Sequence, residues 1–256
     1  MGRGPTVAAQ KDKNAKTKSK VFTIHAKLIA LAAEKGADVS LNASLADAIH
    51  SAKKDGVTAD VIDRAVKRGA GLDKESAKIE EIFYEGYAPG GTAIIVRALT
   101  DNRNRTAPNM RHIFSAFGGN MGEAGSVSNF AFDYVGLIML EMPADMDSFE
   151  MTILDTDAQD YGEEDGQMVV KTDKHSYLGV KEALERAGYS IVSSTLGYSA
   201  RNYTEVTDFD NALRIYKMLE EFDADEDVEN VWNTADISDT LWAEVEAFVE
   251  SKKFRT

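Results

Sequence analysis

Apolar residues recur at helical spacing through the first seventy positions and then, near residue 79, give way to strand-like runs. Val21, Ile24, Leu28, Leu31 and Ala32 predict one helix ending near Gly36. A second, capped by Asn42 or Ser44, turns Leu45, Ala48, Ile49 and Ala52 inward and stops at Gly56. Thr58 opens a third, with Val61, Ile62, Ala65 and Val66 inward and Gly69-Ala70-Gly71 closing it. Three short helices with short connections form a small bundle.

Beyond it, Ile79–Tyr87 and Thr92–Leu99 are rich in β-branched and aromatic residues and flank the turn Ala88-Pro89-Gly90-Gly91, a hairpin pattern. A helix is expected at about 106–117, with Pro108 in its first turn, then strands near 127–132 and 136–142. Next come a helix at 149–154, an acidic loop, a strand at 168–172, a helix at 177–187 and a strand at 191–196. Asp208 caps a helix that directs Phe209, Ala212, Leu213, Tyr216 and Leu219 to one side. A strand at 228–232 and a helix from Ser238, with Ile237 and Trp242 as a hydrophobic staple, complete the order. Short mixed elements after a helical start place the chain in the α+β class, as several small lobes.

The net charge of −14 conceals a gradient. Residues 1–75 carry +5, residues 76–135 carry −1 and residues 136–256 carry −18. The front is therefore the electropositive end, and the whole-chain average says little about partners. Residues 1–20 read as a basic flexible arm holding Lys11, Lys13, Lys16, Lys18 and Lys20. That arm has no apolar stretch of signal-peptide length and none of the Arg and Leu pattern of a mitochondrial presequence. No apolar run approaches the ~20 residues that a membrane-spanning helix needs. The chain has no cysteine, which excludes disulfides, thiol catalysis and Cys-ligated metals.

Candidate chemistry is sparse. His25, His50, His112 and His175 fall in no metal-ligand spacing, and the first two read as structural histidines beside apolar faces. Asp155 to Asp165 fails as a calcium loop, because Asp160 stands where glycine is needed and Gly166 where a bidentate glutamate should be. No phosphate-binding P-loop, nucleophile elbow or acid–base pair is visible, so neither an enzyme nor a cofactor is expected. One segment stands apart. Thr100-Asp101-Asn102-Arg103-Asn104-Arg105-Thr106 leads into a helix with two arginines where acidic residues belong, and Arg111 and His112 follow about a turn later. Guanidinium groups beside unpaired helix N–H groups form an anion site. The alternative is that Asp101, Glu81 or Glu85 simply pairs with them. Lys67 and Arg68, at the end of the third helix, add to the same electropositive front.

The runs Tyr84-Glu85-Gly86-Tyr87-Ala88-Pro89-Gly90-Gly91, Leu99-Thr100-Asp101-Asn102-Arg103-Asn104-Arg105-Thr106, Gly118-Gly119-Asn120-Met121-Gly122 and Gly125-Ser126-Val127 closely resemble the YebC family. So do Ile62 to Gly71 upstream and Val228 to Ile237 downstream, and the likeness spans about residues 20–240. The family includes the PmpR regulators and a mitochondrial translational activator of cytochrome oxidase subunit one. The resemblance implies an N-terminal three-helix domain (21–76) and two ferredoxin-like α/β domains. One is discontinuous, over 77–134 and 206–237; the other, 135–205, is inserted in it, and a C-terminal helix occupies 238–256.

It further implies a non-enzymatic, nucleic-acid-binding regulator of gene expression. A ribosome- or RNA-associated translation factor is the leading form, with ribosomal RNA as target, and a DNA-binding transcriptional regulator is the alternative. On that reading Lys11, Lys13, Lys16, Lys18 and Lys20 track phosphates, and Lys67 and Arg68 hold the helical domain to the backbone. Arg103, Asn104, Arg105 and Arg111 form a second contact, and the acidic rear faces away. A cytoplasmic location follows, or a mitochondrial matrix one if the source is eukaryotic; oligomeric state stays open. The sequence departs from the family at its start. A tryptophan-containing stretch of the type S-K-W-A-N-I-K-H-R-K is replaced by Gly4-Pro5-Thr6-Val7-Ala8-Ala9-Gln10-Lys11, marking a divergent paralogue.

Overall fold

A computed structural model of the chain describes residues 18–73, 76–164 and 166–253, without the side chains of Lys18 and Lys253. Three helices open it: α1 (Lys18–Ala33), α2 (Ala43–Lys54) and α3 (Ala59–Gly69). Asn42 is the residue that caps α2, its side chain accepting from the Leu45 N–H. Ile29, Leu45, Ala52, Ile62 and Ala65 form the bundle's core. Gly69 is required here, because a Cβ would lie 2.0 Å from the Ala30 carbonyl oxygen. The end of α3 thus rests directly on the backbone of α1.

The hairpin β1 (Glu80–Tyr87) and β2 (Ala93–Thr100) pairs in register from Glu80↔Thr100 to Tyr87↔Ala93. After it come α4 (Arg103–Ala116) and the two-residue β3 (Asn120–Met121). The chain returns much later as α8 (Phe209–Ala224) and β9 (Val228–Asn233), and β9 pairs with β2 to give the antiparallel order β3-β1-β2-β9. The intervening elements are the short α5 (Ser128–Ala131), β4 (Phe132–Glu141), α6 (Met146–Leu154), β5 (Ala158–Glu164), β6 (Gln167–Asp173), α7 (Tyr177–Arg186) and β7 (Ile191–Ala200). Strands β4 to β7 build a separate sheet ordered β5-β6-β4-β7. With its βαββαβ chain order, that sheet has the ferredoxin-like arrangement. The outer lobe reaches the same two layers with a different strand order. Two-residue strands β8 (Thr204–Glu205) and β10 (Ala235–Asp236) pair in parallel, and α9 (Asp239–Lys253) ends the described chain.

β2 does not alternate, because both its faces are covered. Ile94, Val96 and Ala98 join Met110 and Phe114 of α4 and Ile215, Met218 and Phe222 of α8 in the main core. On the other face Ala93 and Ile95 pack with Phe132 and Trp232, while Leu99 meets Ala30 of the helical domain. The insert has its own core, led by Ile138, Leu140, Phe149, Val170 and Leu184. The staple predicted for the last helix is present, with Ile237 and Trp242 both buried.

Three expectations need correction. The segment 127–132 is not a strand: α5 occupies most of it and β4 starts only at Phe132. The acidic loop is largely the edge strand β5, paired with β6 from Ala158↔Thr172 to Glu164↔Gln167. It lacks the apolar alternation that would reveal it, because an edge strand can turn charged side chains to water. Finally, α4 starts at Arg103, three residues earlier than expected, so Pro108 lies in its second turn rather than its first. Proline has no N–H to offer the Asn104 carbonyl, yet the helix runs on through it.

Candidate nucleic-acid interface

The end of β2 delivers the chain to α4 through Thr100 and Asp101. Asn102 caps the helix, its side-chain oxygen accepting from the Arg105 N–H at 3.2 Å. The first turn therefore reads Arg103-Asn104-Arg105 with no acidic residue, so cations stand at the positive pole of the helix. Arg103 and Asn104 are exposed, as is Arg111 two turns further along. Neither Arg103 nor Arg111 has an ion-pair partner among the described residues.

Arg105 differs. Its Nη2 donates to Asp101 at 3.2 Å and to both oxygens of Asp227, at 2.9 and 3.1 Å. Asp227 is 6% exposed and also accepts from the Lys27 ammonium at 2.8 Å, Thr106 at 2.8 Å and Thr100 at 3.2 Å. Burial alone would raise its pKa, but the hydrogen bonds from Lys27, Arg105 and Thr106 outweigh that and hold it at about 2. Removing one partner from a buried pair of this kind costs about 3–5 kcal/mol, since the other charge is left uncompensated. The same carboxylate, by hydrogen bond and charge, holds the Arg105 pKa above its ordinary value.

Lys20 was expected to track phosphates, and here the structure corrects the sequence. It is buried, and its ammonium donates to the Asp223 backbone carbonyl and faces that residue's carboxylate at 3.7 Å. Lys20 and Lys27 are seven apart, two turns of α1, so both fall on the stripe that meets the outer lobe. Lys27, a buried cation missed in the sequence, bridges to the Glu226 carbonyl as well. The expectation that the acidic rear stays clear of the front needs the same correction. Because β9 pairs with β2, Asp223 and Asp227 are carried back against α1 and α4.

Of the other expected contacts, Lys67 is exposed and has no ion-pair partner among the described residues. Arg68 is half-buried, donates to the Ala77 carbonyl and pairs with Asp101 at 3.1 Å. Asp101 thus links Arg68 of the helical domain to Arg105 of α4. Lys11, Lys13 and Lys16 lie outside the described residues, and so does the side chain of Lys18. Of the proposed internal partners, Asp101 is engaged by Arg68 and Arg105, whereas Glu81 is taken by Arg97 at 2.6 Å. Glu85 is buried and accepts from the N–H groups of Gly125, Val127 and Ser128 and from the Ser128 hydroxyl. Burial works against its charge, yet those four donors keep its pKa below the ordinary value.

His25 is a structural histidine, 2.6 Å from Asp55; His50, expected to resemble it, is exposed. Among the described residues no group of three or more His, Asp or Glu side chains could hold a metal ion, and no helix is long and apolar enough to cross a membrane.

Comparison with known proteins agrees with this geometry. The family model "TACO1/YebC protein N-terminal domain" matches residues 3–72, and "TACO1/YebC second and third domain" matches residues 79–235. A "probable transcriptional regulatory protein" of Thermoanaerobacter pseudethanolicus is 40% identical over 233 residues, covering 90% of this chain and 94% of its own. One of the same description from Geobacter sulfurreducens is 40% identical over 222 residues, covering 86% and 89%. The crystal structure of a conserved hypothetical protein, Aq1575 of Aquifex aeolicus, superposes with a TM-score of 0.81 at 31% identity, covering 88% of this chain and 93% of that one. With one family model on the helical bundle and another on the α/β lobes, the chain belongs to the TACO1/YebC family.

Proposed function

We propose that the protein is a non-enzymatic regulator of gene expression that binds nucleic acid through the face made by Arg103, Asn104 and Arg111 of α4 and Lys67 of α3. Structured RNA on the ribosome is its target. The observation that carries this reading is the contrast along α4. Arg105 is consumed by Asp101 and Asp227, while Arg103 and Arg111 are exposed and pair with no acid among the described residues. Arg103, a cation in the first turn and so placed against the helix dipole, costs about 0.3–1 kcal/mol when exposed, a cost that an incoming phosphate relieves. Arg68 and Arg105 contribute as the shared flank of Asp101, and the lysines at 11, 13, 16 and 18 would extend the contact along the backbone.

Co-sedimentation with ribosomes at two salt concentrations tests the reading. With about six phosphates neutralised, log affinity should fall against log salt with a slope of about −4 to −5. Failure to sediment at low salt, or a flat salt dependence, contradicts it. The descriptions of the relatives favour a second reading, in which the target is promoter DNA. Crosslinking to cellular nucleic acid separates the two: ribosomal RNA enrichment supports the first, discrete promoter fragments the second.

A further inference from the structure

Beside this face lies a groove between α1 and α3 that the phosphate contacts leave unused. It encloses about 720 Å³, within the range of pockets that hold small organic groups. Phe22, Ala26, Val61, Ala65 and Leu72 give it an apolar floor. Leu72, at its edge, is 71% exposed. Arg64, Lys67 and Arg68 line the groove, with Asp73 the one carboxylate among the described lining residues. Lys67 has no ion-pair partner among the described residues. Among the described residues Arg64 pairs only with its helix neighbour Asp60, both largely in water, so this bond can be exchanged at little cost. Arg68 runs through Asp101 to Arg105, which joins the rim to the first turn of α4.

From these observations we infer that the groove receives an unstacked base from a single-stranded stretch of the nucleic acid whose phosphates lie on α4 and the rim. The inference rests on the binding reading above and narrows its target to strands with an unpaired nucleotide. An aromatic ring and alkyl side chains offer a stacking surface to any base, and the flanking guanidinium and ammonium groups fit the phosphates on either side of it. An apolar peptide would use the floor, but it would leave the cationic rim without a counterpart. A duplex cannot use the floor, because its bases are already stacked.

The test compares a 12-nucleotide single strand carrying one 2-aminopurine with a duplex of equal phosphate number, at one salt concentration. The wild-type protein should bind the single strand about 5–30-fold more tightly, with a change in 2-aminopurine fluorescence on binding. Phe22→Ala should bring the ratio close to one while leaving the salt slope unchanged. Phe22 also packs against the bundle core, so Leu72→Ser, at an exposed position, is the second variant and should lower the ratio in a folded protein. Equal affinity for both forms with the salt slope intact overturns the groove but keeps the phosphate face. No binding of either form overturns the reading beneath it as well. A free mononucleotide bound as tightly as the strand would overturn the assignment to a polymer.

Discussion

The helical domain touches the rest of the molecule along two seams of opposite character. Against the outer lobe it places Ala30 on Ile79 and Leu99, and it buries Lys27 on Asp227 and Lys20 on Asp223. Against the insert it offers, among the described residues, two polar contacts, Lys54 to the Val192 carbonyl at 3.2 Å and Asp47 to Lys181 at 3.7 Å. The first seam is desolvated and satisfied on several sides; the second sets an exposed Asp47 and Lys54 against the insert, where solvent and salt screen the contacts. The cations of α3 and α4 therefore belong to one fixed body, held in place by acids from the C-terminal half. The insert is a ferredoxin-like unit with its own core, attached to that body through the aromatic cluster of Phe83, Phe132, Tyr198 and Trp232.

Removing the carboxylate at the centre of the first seam is the harshest way to break this contrast. Asp227→Ala strands Lys27 and loosens Arg105, and thermal unfolding should show a loss of about 3–5 kcal/mol. Hydrogen exchange should rise in α1 and β9 while the insert core around Phe149 keeps its protection. A loss below about 1 kcal/mol would place the seam's strength elsewhere. Acid provides a milder version of the same experiment. The folded pKa of Asp227, about 2, lies below its ordinary value of 3.8. Its contribution is thus present above about pH 4 and disappears as pH falls through about 2, removing roughly 2 kcal/mol. Asp227→Asn should abolish that limb of the pH profile; an unchanged limb would assign it to another carboxylate. At the second seam, Lys54→Ala with Lys181→Ala should change stability by less than about 0.5 kcal/mol and nucleic-acid affinity hardly at all. A larger loss would show that the insert is braced by the helical domain.

Much of this architecture was legible along the chain. Periodicity located α1 to α3, the β1–β2 hairpin and most of the elements between β4 and β7, the family resemblance implied that these form a ferredoxin-like insert, and Asn42 and Asp208 act as the caps their side chains suggested. What failed was either polar or non-local. β5 was hidden because an edge strand can carry acidic and polar side chains in place of apolar alternation. The start of α4 was missed because Pro108 is tolerated in its second turn, and the short α5 breaks a run that read as continuous strand. At the interface, composition showed a basic front and an acidic rear but not the return of β9 to β2. That return turns Lys20 and Lys27 from surface cations into buried struts. Their seven-residue spacing was the available signal, but the sequence does not show which stripe of α1 meets the lobe carrying Asp223 and Asp227. Arg103 and Arg105 are two residues apart with the same side-chain chemistry, and only the fold separates the engaged one from the free one.

The most direct measurement is the salt dependence of binding for the wild-type protein and for Arg103→Ala with Arg111→Ala, on a ribosomal RNA fragment. Both sites are exposed, so stability should stay within about 0.5 kcal/mol. The slope of log affinity against log salt should become shallower by about 2, one for each phosphate no longer neutralised. An unchanged slope and affinity in the double variant would contradict the claim that the unpaired arginines of α4 hold the nucleic acid.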